Sequence, residues 1–209
     1  MSAFLAPIHT TMYNRILMQD AMTEELLEAS EQSGWADDLR SKADAEAPAA
    51  RCCSVEEVID LDNIHGWLSQ SVSLCENRFS FVVKSILENH PERLSKLQNI
   101  LFSLGSKYTL EDSENAEDLY ADLTELLLDG MPCDRPFAVI SSSPKEVAWK
   151  VENCPHTSYW QQNPFDVNLY YTLRKSFIDG LLQNSGFHFQ TPADDGVFTL
   201  RKEEANGVH

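Results

Sequence analysis

Apolar residues recur at helical spacing through most of the first 130 positions and change to alternation after Gly130. Ile8, Met12, Ile16, Met22, Leu26 and Leu27 form a stripe that predicts a helix from Pro7 to a C-cap at Ser33-Gly34. Residues 36–53 break the pattern. The run from Ser41 to Ala50 has no large apolar side chain and reads as a linker, with a short exposed helix ended by Pro48 as the other reading. Ser54 with Glu57 fits a capping box for a short helix ending near Leu61. A longer helix is predicted over 64–89, capped by Asp62 or Asn63, with Ile64, Trp67, Leu68, Cys75, Phe79, Val83 and Ile86 on one face. Leucine spacing predicts further helices over 91–107 and 115–129.

Beyond Gly130, Phe137-Ala138-Val139-Ile140 and Val147-Ala148-Trp149-Lys150-Val151 read as strands joined by a Ser- and Pro-containing turn. A helix follows, from Pro164 or Phe165 to Asn184. Phe187-His188-Phe189 and Val197-Phe198-Thr199-Leu200 then flank a loop ending in Asp195-Gly196, a hairpin signal. The expected fold class is α+β: a helical N-terminal part on a small four-stranded antiparallel sheet, in the order strand, strand, helix, strand, strand. The expected organisation is an N-terminal helix over 1–35, a linker over 36–53, and helical 54–130 forming one compact domain with an α+β region over 131–203. The tail from Glu203 to His209 is expected to fray.

Charge narrows the partners. Among 209 residues, 33 are Asp or Glu and 16 are Lys or Arg, a formal net charge of −17. A surface this negative repels phosphate backbones and anionic lipids, so neither nucleic acid nor membrane is an expected partner. Residues 1–13 hold no Lys or Arg and no long apolar run, so no secretory signal is expected and the expected location is cytoplasmic. Five cysteines (Cys52, Cys53, Cys75, Cys133 and Cys154) without a C-x-x-C pair suggest free thiols rather than a disulfide framework or zinc knuckle. No phosphate-binding glycine loop, nucleophile elbow or H-E-x-x-H is present. No metal site is expected, and no particular cofactor is implied.

The most suggestive chemistry is Glu152-Asn153-Cys154-Pro155-His156, where a strand should end before a helix. A thiol beside a cation or base gains thiolate character, so Cys154 and His156 are the candidate catalytic pair; a buried structural cysteine is the plainer alternative. Tyr159, Trp160, Phe165, Tyr170 and Tyr171 form an aromatic set suited to a ligand wall or to core packing. Glu76 borders the apolar stripe of the 64–89 helix beside Cys75, with Arg78 nearby. With Tyr159 and Trp160, the residues Glu76, His65 and Trp67 are the candidate ligand contacts. Ile8-His9 and Ile64-His65 both stand at helix starts, too short a match to define a repeat.

The stretch from Val147 to Trp160, with Cys154-Pro155, an aromatic pair and the helix and hairpin that follow to Leu200, resembles the L-2-amino-thiazoline-4-carboxylic acid hydrolase-like family. The resemblance covers about the last third of the chain. It implies a small-molecule site near Cys154 and hydrolysis of a carbon–nitrogen bond in a small ring. A second cysteine near the following helix and one in the last hairpin, which mark that family, are absent here. The same element order resembles vinyl-reductase-type ligand-binding domains, whose cysteine-rich zinc site is not expected where Cys154 stands alone. The first two-thirds resemble uncharacterised bacterial proteins only. The leading expectation is a small-molecule-binding protein acting as a hydrolase, its pocket between the C-terminal sheet and the 64–89 helix. The alternative is a non-enzymatic accessory protein, chaperone-like or homodimeric through its helical part.

Overall fold

The computed structural model describes residues 5–108, 110, 114–134, 136–161, 166–192 and 196–203. It is an α+β fold. Helices α1 (Pro7–Ser33), α2 (Leu39–Glu46), α3 (Ile64–Leu87), α4 (Leu94–Gly105) and α5 (Ala116–Leu126) precede the hairpin β1 (Phe137–Ser143) and β2 (Glu146–Val151). A one-turn helix α6 (Thr157–Trp160), the longer α7 (Val167–Leu182) and the hairpin β3 (Phe187–Gln190) and β4 (Val197–Lys202) complete it. All strand pairs are antiparallel, and β2 pairs with β4, so the two hairpins share one sheet in the order β1-β2-β4-β3.

Local chemistry sets the element ends. Gly34 is left-handed at φ 60° and closes α1, while the Asn63 side chain accepts from the Gly66 amide and opens α3. Pro91 ends the α3 segment in a 3-10 turn, after which α4 starts at Leu94. The expected helix over 54–61 is a single 3-10 turn, Val55–Glu57. Ser54 does meet Glu57, but hydroxyl to carboxylate at 3.0 Å, so no backbone cap forms to extend the turn. The predicted start of α7 at Pro164 or Phe165 and most of the β3–β4 loop lie outside the described residues, as does the tail beyond Glu203.

Within the span read as a linker, α2 packs Leu39, Ala43 and Ala47 with full or nearly full burial. Its small apolar residues leave a weak periodic signal, and its anchor is remote. Arg78 of α3 donates to Asp44 at 2.7 Å and to the Ala47 carbonyl at 3.0 Å. The same guanidinium reaches Glu24 of α1 at 2.8 Å and lies 3.5 Å from Asp20.

One large core joins the inner faces of the sheet to α1, α3, α4, α5 and α7. Trp149 stacks with Phe198 and Phe189 across three neighbouring strands, at 5.8 and 5.9 Å between ring centroids. Where α4 crosses α7, a Cβ on Gly105 would stand 2.1 Å from the Phe177 carbonyl and one on Gly180 2.1 Å from that of Phe102. Both glycines are needed for the backbones to approach this closely. A smaller core, containing Met12, Tyr13, Ile16, Leu68, Val72 and Cys75, lies between α1 and α3. No described helix is long and apolar enough to cross a membrane.

Candidate functional site

Strand β2 ends at Val151, and the chain turns through Cys154 and Pro155 before α6. The turn inserts His156 into the protein, where it is 0% exposed. Its Nδ1 lies 2.9 Å from Glu76 Oε1 of α3 and its Nε2 3.4 Å from Asp129 Oδ1, just after α5. Both neighbours are carboxylates, so both ring nitrogens act as donors and the ring is an imidazolium. Burial alone would lower its pKa, but the Glu76 and Asp129 charges outweigh burial and hold it up to about 9. Tyr170 covers one ring face at 3.8 Å between centroids. Arg174, one turn along α7, forks onto Asp129, with Nη2 2.7 Å from Oδ2. This second cation keeps the Asp129 carboxyl below the usual range against the opposing effect of burial.

Cys154 is half-buried on the outer side of this centre. Its Sγ stands 3.3 Å from the Tyr171 hydroxyl. Burial pushes the thiol pKa up, yet hydrogen bonding from Thr157 and Tyr171 and the charge of His156 outweigh it and lower the pKa below the ordinary value. The same contact, with burial as the larger cause, raises the Tyr171 phenol, which therefore stays protonated and able to donate. Cys154 lines an open cleft of about 570 Å³ with Val151, Val167, Asn168, Tyr171, Thr172, Thr191, Pro192 and Phe198. Among the described residues, no charged side chain lines it.

The candidate residues thus separate into groups. Cys154, His156 and Glu76 form one connected arrangement, but His156 cannot be the base for Cys154, because both its nitrogens face carboxylates. It acts through its charge. Trp160 is fully buried against Phe79 and Tyr170 and does not line the Cys154 cleft. Tyr159 places its hydroxyl 3.0 Å from Ser73 of α3. His65 and Trp67 stand apart from the Cys154 cleft: Trp67 lines a different cavity, against Tyr13, and His65 meets His9. The described lining of the Cys154 cleft comes from the end of β2, the start of α7 and the β3–β4 hairpin, with no residue of α3.

The two Ile-His helix starts do meet. The Ala6 amide donates to His9 Nδ1 at 3.1 Å, so Nε2 carries the proton and points at His65 Nε2, 3.3 Å away. This is a hydrogen-bonded latch rather than a pair of open metal donors. Among the described residues, no group of three or more His, Cys, Asp or Glu is arranged to hold a metal ion.

Comparison with protein families, curated proteins and solved structures finds no significant match to this chain. The site therefore rests on its own geometry. Sequence reasoning passed over Asp129 and Arg174, the outer half of the ionic centre. Their signal was a charged residue one helical turn after Tyr170 on an otherwise apolar face, and an aspartate directly after the leucine run that carries the chain out of α5.

Proposed function

We propose that this chain is a small-molecule-binding protein that hydrolyses a carbon–nitrogen bond of a small, uncharged or weakly polar ring, with Cys154 as the nucleophile. The observation that carries the reading is a thiol of lowered pKa opening onto a cleft, with a buried imidazolium behind it and a phenol 3.3 Å from its sulfur. The lining among the described residues is neutral, with Asn168, Thr172 and Thr191 among apolar walls, and suits a ring carrying a few hydrogen-bonding groups. The resemblance of residues 147–200 to the thiazoline-carboxylate hydrolase-like family supports the same chemistry.

In this reading the Cys154 thiolate bonds to the electrophilic ring carbon as the carbon–nitrogen bond breaks. Tyr171 gives its proton to the departing nitrogen. Water then adds to the thioester carbon, the carbon–sulfur bond breaks, and the proton from water returns to Tyr171 while the thiolate is restored. His156 stays protonated throughout and stabilises the sulfur anion at both ends of the cycle.

Trapping tests the reading. Intact-mass measurement after brief incubation with small uncharged cyclic amides should show an adduct mapping to Cys154, absent from Cys154→Ser. Turnover that survives Cys154→Ser would sink the reading.

A further inference from the structure

A second cavity, of about 440 Å³, opens between α1, α3 and the segment after α2, and it shares no lining residue with the Cys154 cleft. Its floor is apolar, with Ile16 and Cys75 buried, and Tyr13 and Trp67 stand together in its wall with ring centroids 5.6 Å apart. The opposite wall, residues 48–51, is irregular chain, yet it is fastened at three points. The Ala47 carbonyl accepts from buried Arg78 at 3.0 Å, the Ala50 amide donates to Asp20 at 3.0 Å, and the Tyr13 hydroxyl donates to the Arg51 carbonyl. Two of these anchors are buried charged side chains, which are costly to place and specific in direction. They give the cavity a wall already in position, as small-molecule sites commonly have.

Two opposite charges line this cavity without meeting. Arg51 forms no ion pair among the described residues. Glu57 accepts from the Ser54 hydroxyl at 3.0 Å through one carboxylate oxygen and has no cationic partner among them. A simple anion would meet Glu57 and the field of a chain with net charge −17. A simple cation would meet Arg51. A ligand with both charges and no net charge suits both groups.

We infer that this cavity binds a small zwitterion with an aromatic side group, its carboxylate on Arg51, its ammonium on Glu57 and its ring against Trp67 and Tyr13. A guanidinium fork matches a carboxylate in two hydrogen bonds, and the aromatic wall supplies the apolar contact.

Calorimetric titration of the whole protein with L-phenylalanine, L-phenylalanine amide and 3-phenylpropionate tests this. The zwitterion should bind at least about tenfold more tightly than either singly charged analogue, the usual scale for losing one charge-assisted contact. Arg51→Gln should weaken L-phenylalanine and 3-phenylpropionate about tenfold and spare the amide, and Glu57→Gln should weaken L-phenylalanine and the amide and spare 3-phenylpropionate. Both positions are exposed, so both variants should keep the wild-type circular dichroism and melting temperature. Cys154→Ser should leave all three affinities unchanged. No heat from L-phenylalanine at about 10 mM, equal affinity for the three probes, or loss of binding in Cys154→Ser would overturn the assignment.

Discussion

Two buried ionic centres, built from similar groups, stand in different surroundings. In one, Arg78 is 1% exposed and faces Asp20, Glu24 and Asp44. In the other, His156 is fully buried between Glu76 and Asp129, with Arg174 behind. The Arg78 centre ties α1, α2 and α3 to one another and fixes the chain after α2. The His156 centre ties α3, the end of α5 and α7 to the turn after β2, and it sits beside a thiol that reaches an open cleft. Buried charge by itself therefore says little about chemistry here. What separates a packing device from a candidate site is a reactive group within reach of the charge and of solvent together.

The largest effect that would sharpen this contrast is on stability. Arg78→Leu strands Asp20 and frees the wall after α2, and should cost about 3–5 kcal/mol in urea unfolding, toward the lower end because Glu24 and Asp44 are partly exposed. The rate of Cys154 alkylation in the folded variant should not change. A large fall in that rate would mean that the two centres are not separate devices.

His156→Gln should cost somewhat less, about 3 kcal/mol, because one neutral amide replaces a cation facing two carboxylates. Glu76 is left worst placed, since its Oε2 is already buried with no partner among the described residues. The pH dependence should change with it. The folded pKa of His156, about 9, lies above the ordinary value of 6.5. Its stabilisation is thus fully present below about pH 6.5 and is lost as pH rises through 9, since over that window the unfolded chain releases a proton that the folded one keeps. Urea midpoints between those limits should fall with pH in the wild type and stay flatter in His156→Gln. Parallel curves would contradict the imidazolium assignment. Asp20, pushed up to about 6 chiefly by burial despite Arg78, should give its own decline at lower pH, between about 3.8 and 6, in both proteins.

The smallest effect belongs to Tyr171→Phe. It removes one hydrogen bond to Cys154, about 1 kcal/mol, and should slow alkylation at neutral pH severalfold with little change in fold. An unchanged rate would assign the thiol's character to His156 and Thr157 alone.

Legibility in the sequence followed the range of the interactions. Strands β1 to β4 were readable because short apolar runs bounded by turn residues are local signals, and α1 and α3 because their stripes are long. Helix α2 was legible only as the second reading, a short exposed helix ended by Pro48, and its burial was not legible, since alanines carry its packing and its anchor, Arg78, comes from 34 residues away. At the site, the nearness of Cys154 and His156 was visible as a two-residue spacing. The role of His156 was not, because Glu76 lies 80 positions before it and Asp129 27, and only the fold turns the ring toward both. His65 and Trp67 share a helix with Glu76, yet Trp67 opens onto a separate cavity.

The most direct test is the pH profile of iodoacetamide alkylation of the folded protein, resolved cysteine by cysteine by mass spectrometry. Cys154 should react with an apparent pKa below that of an ordinary thiol and faster than exposed Cys133 at neutral pH, with that advantage reduced in His156→Gln. If Cys154 instead reacts only as the protein unfolds, or titrates at or above an ordinary thiol, it is a packing residue and the nucleophile assignment is wrong.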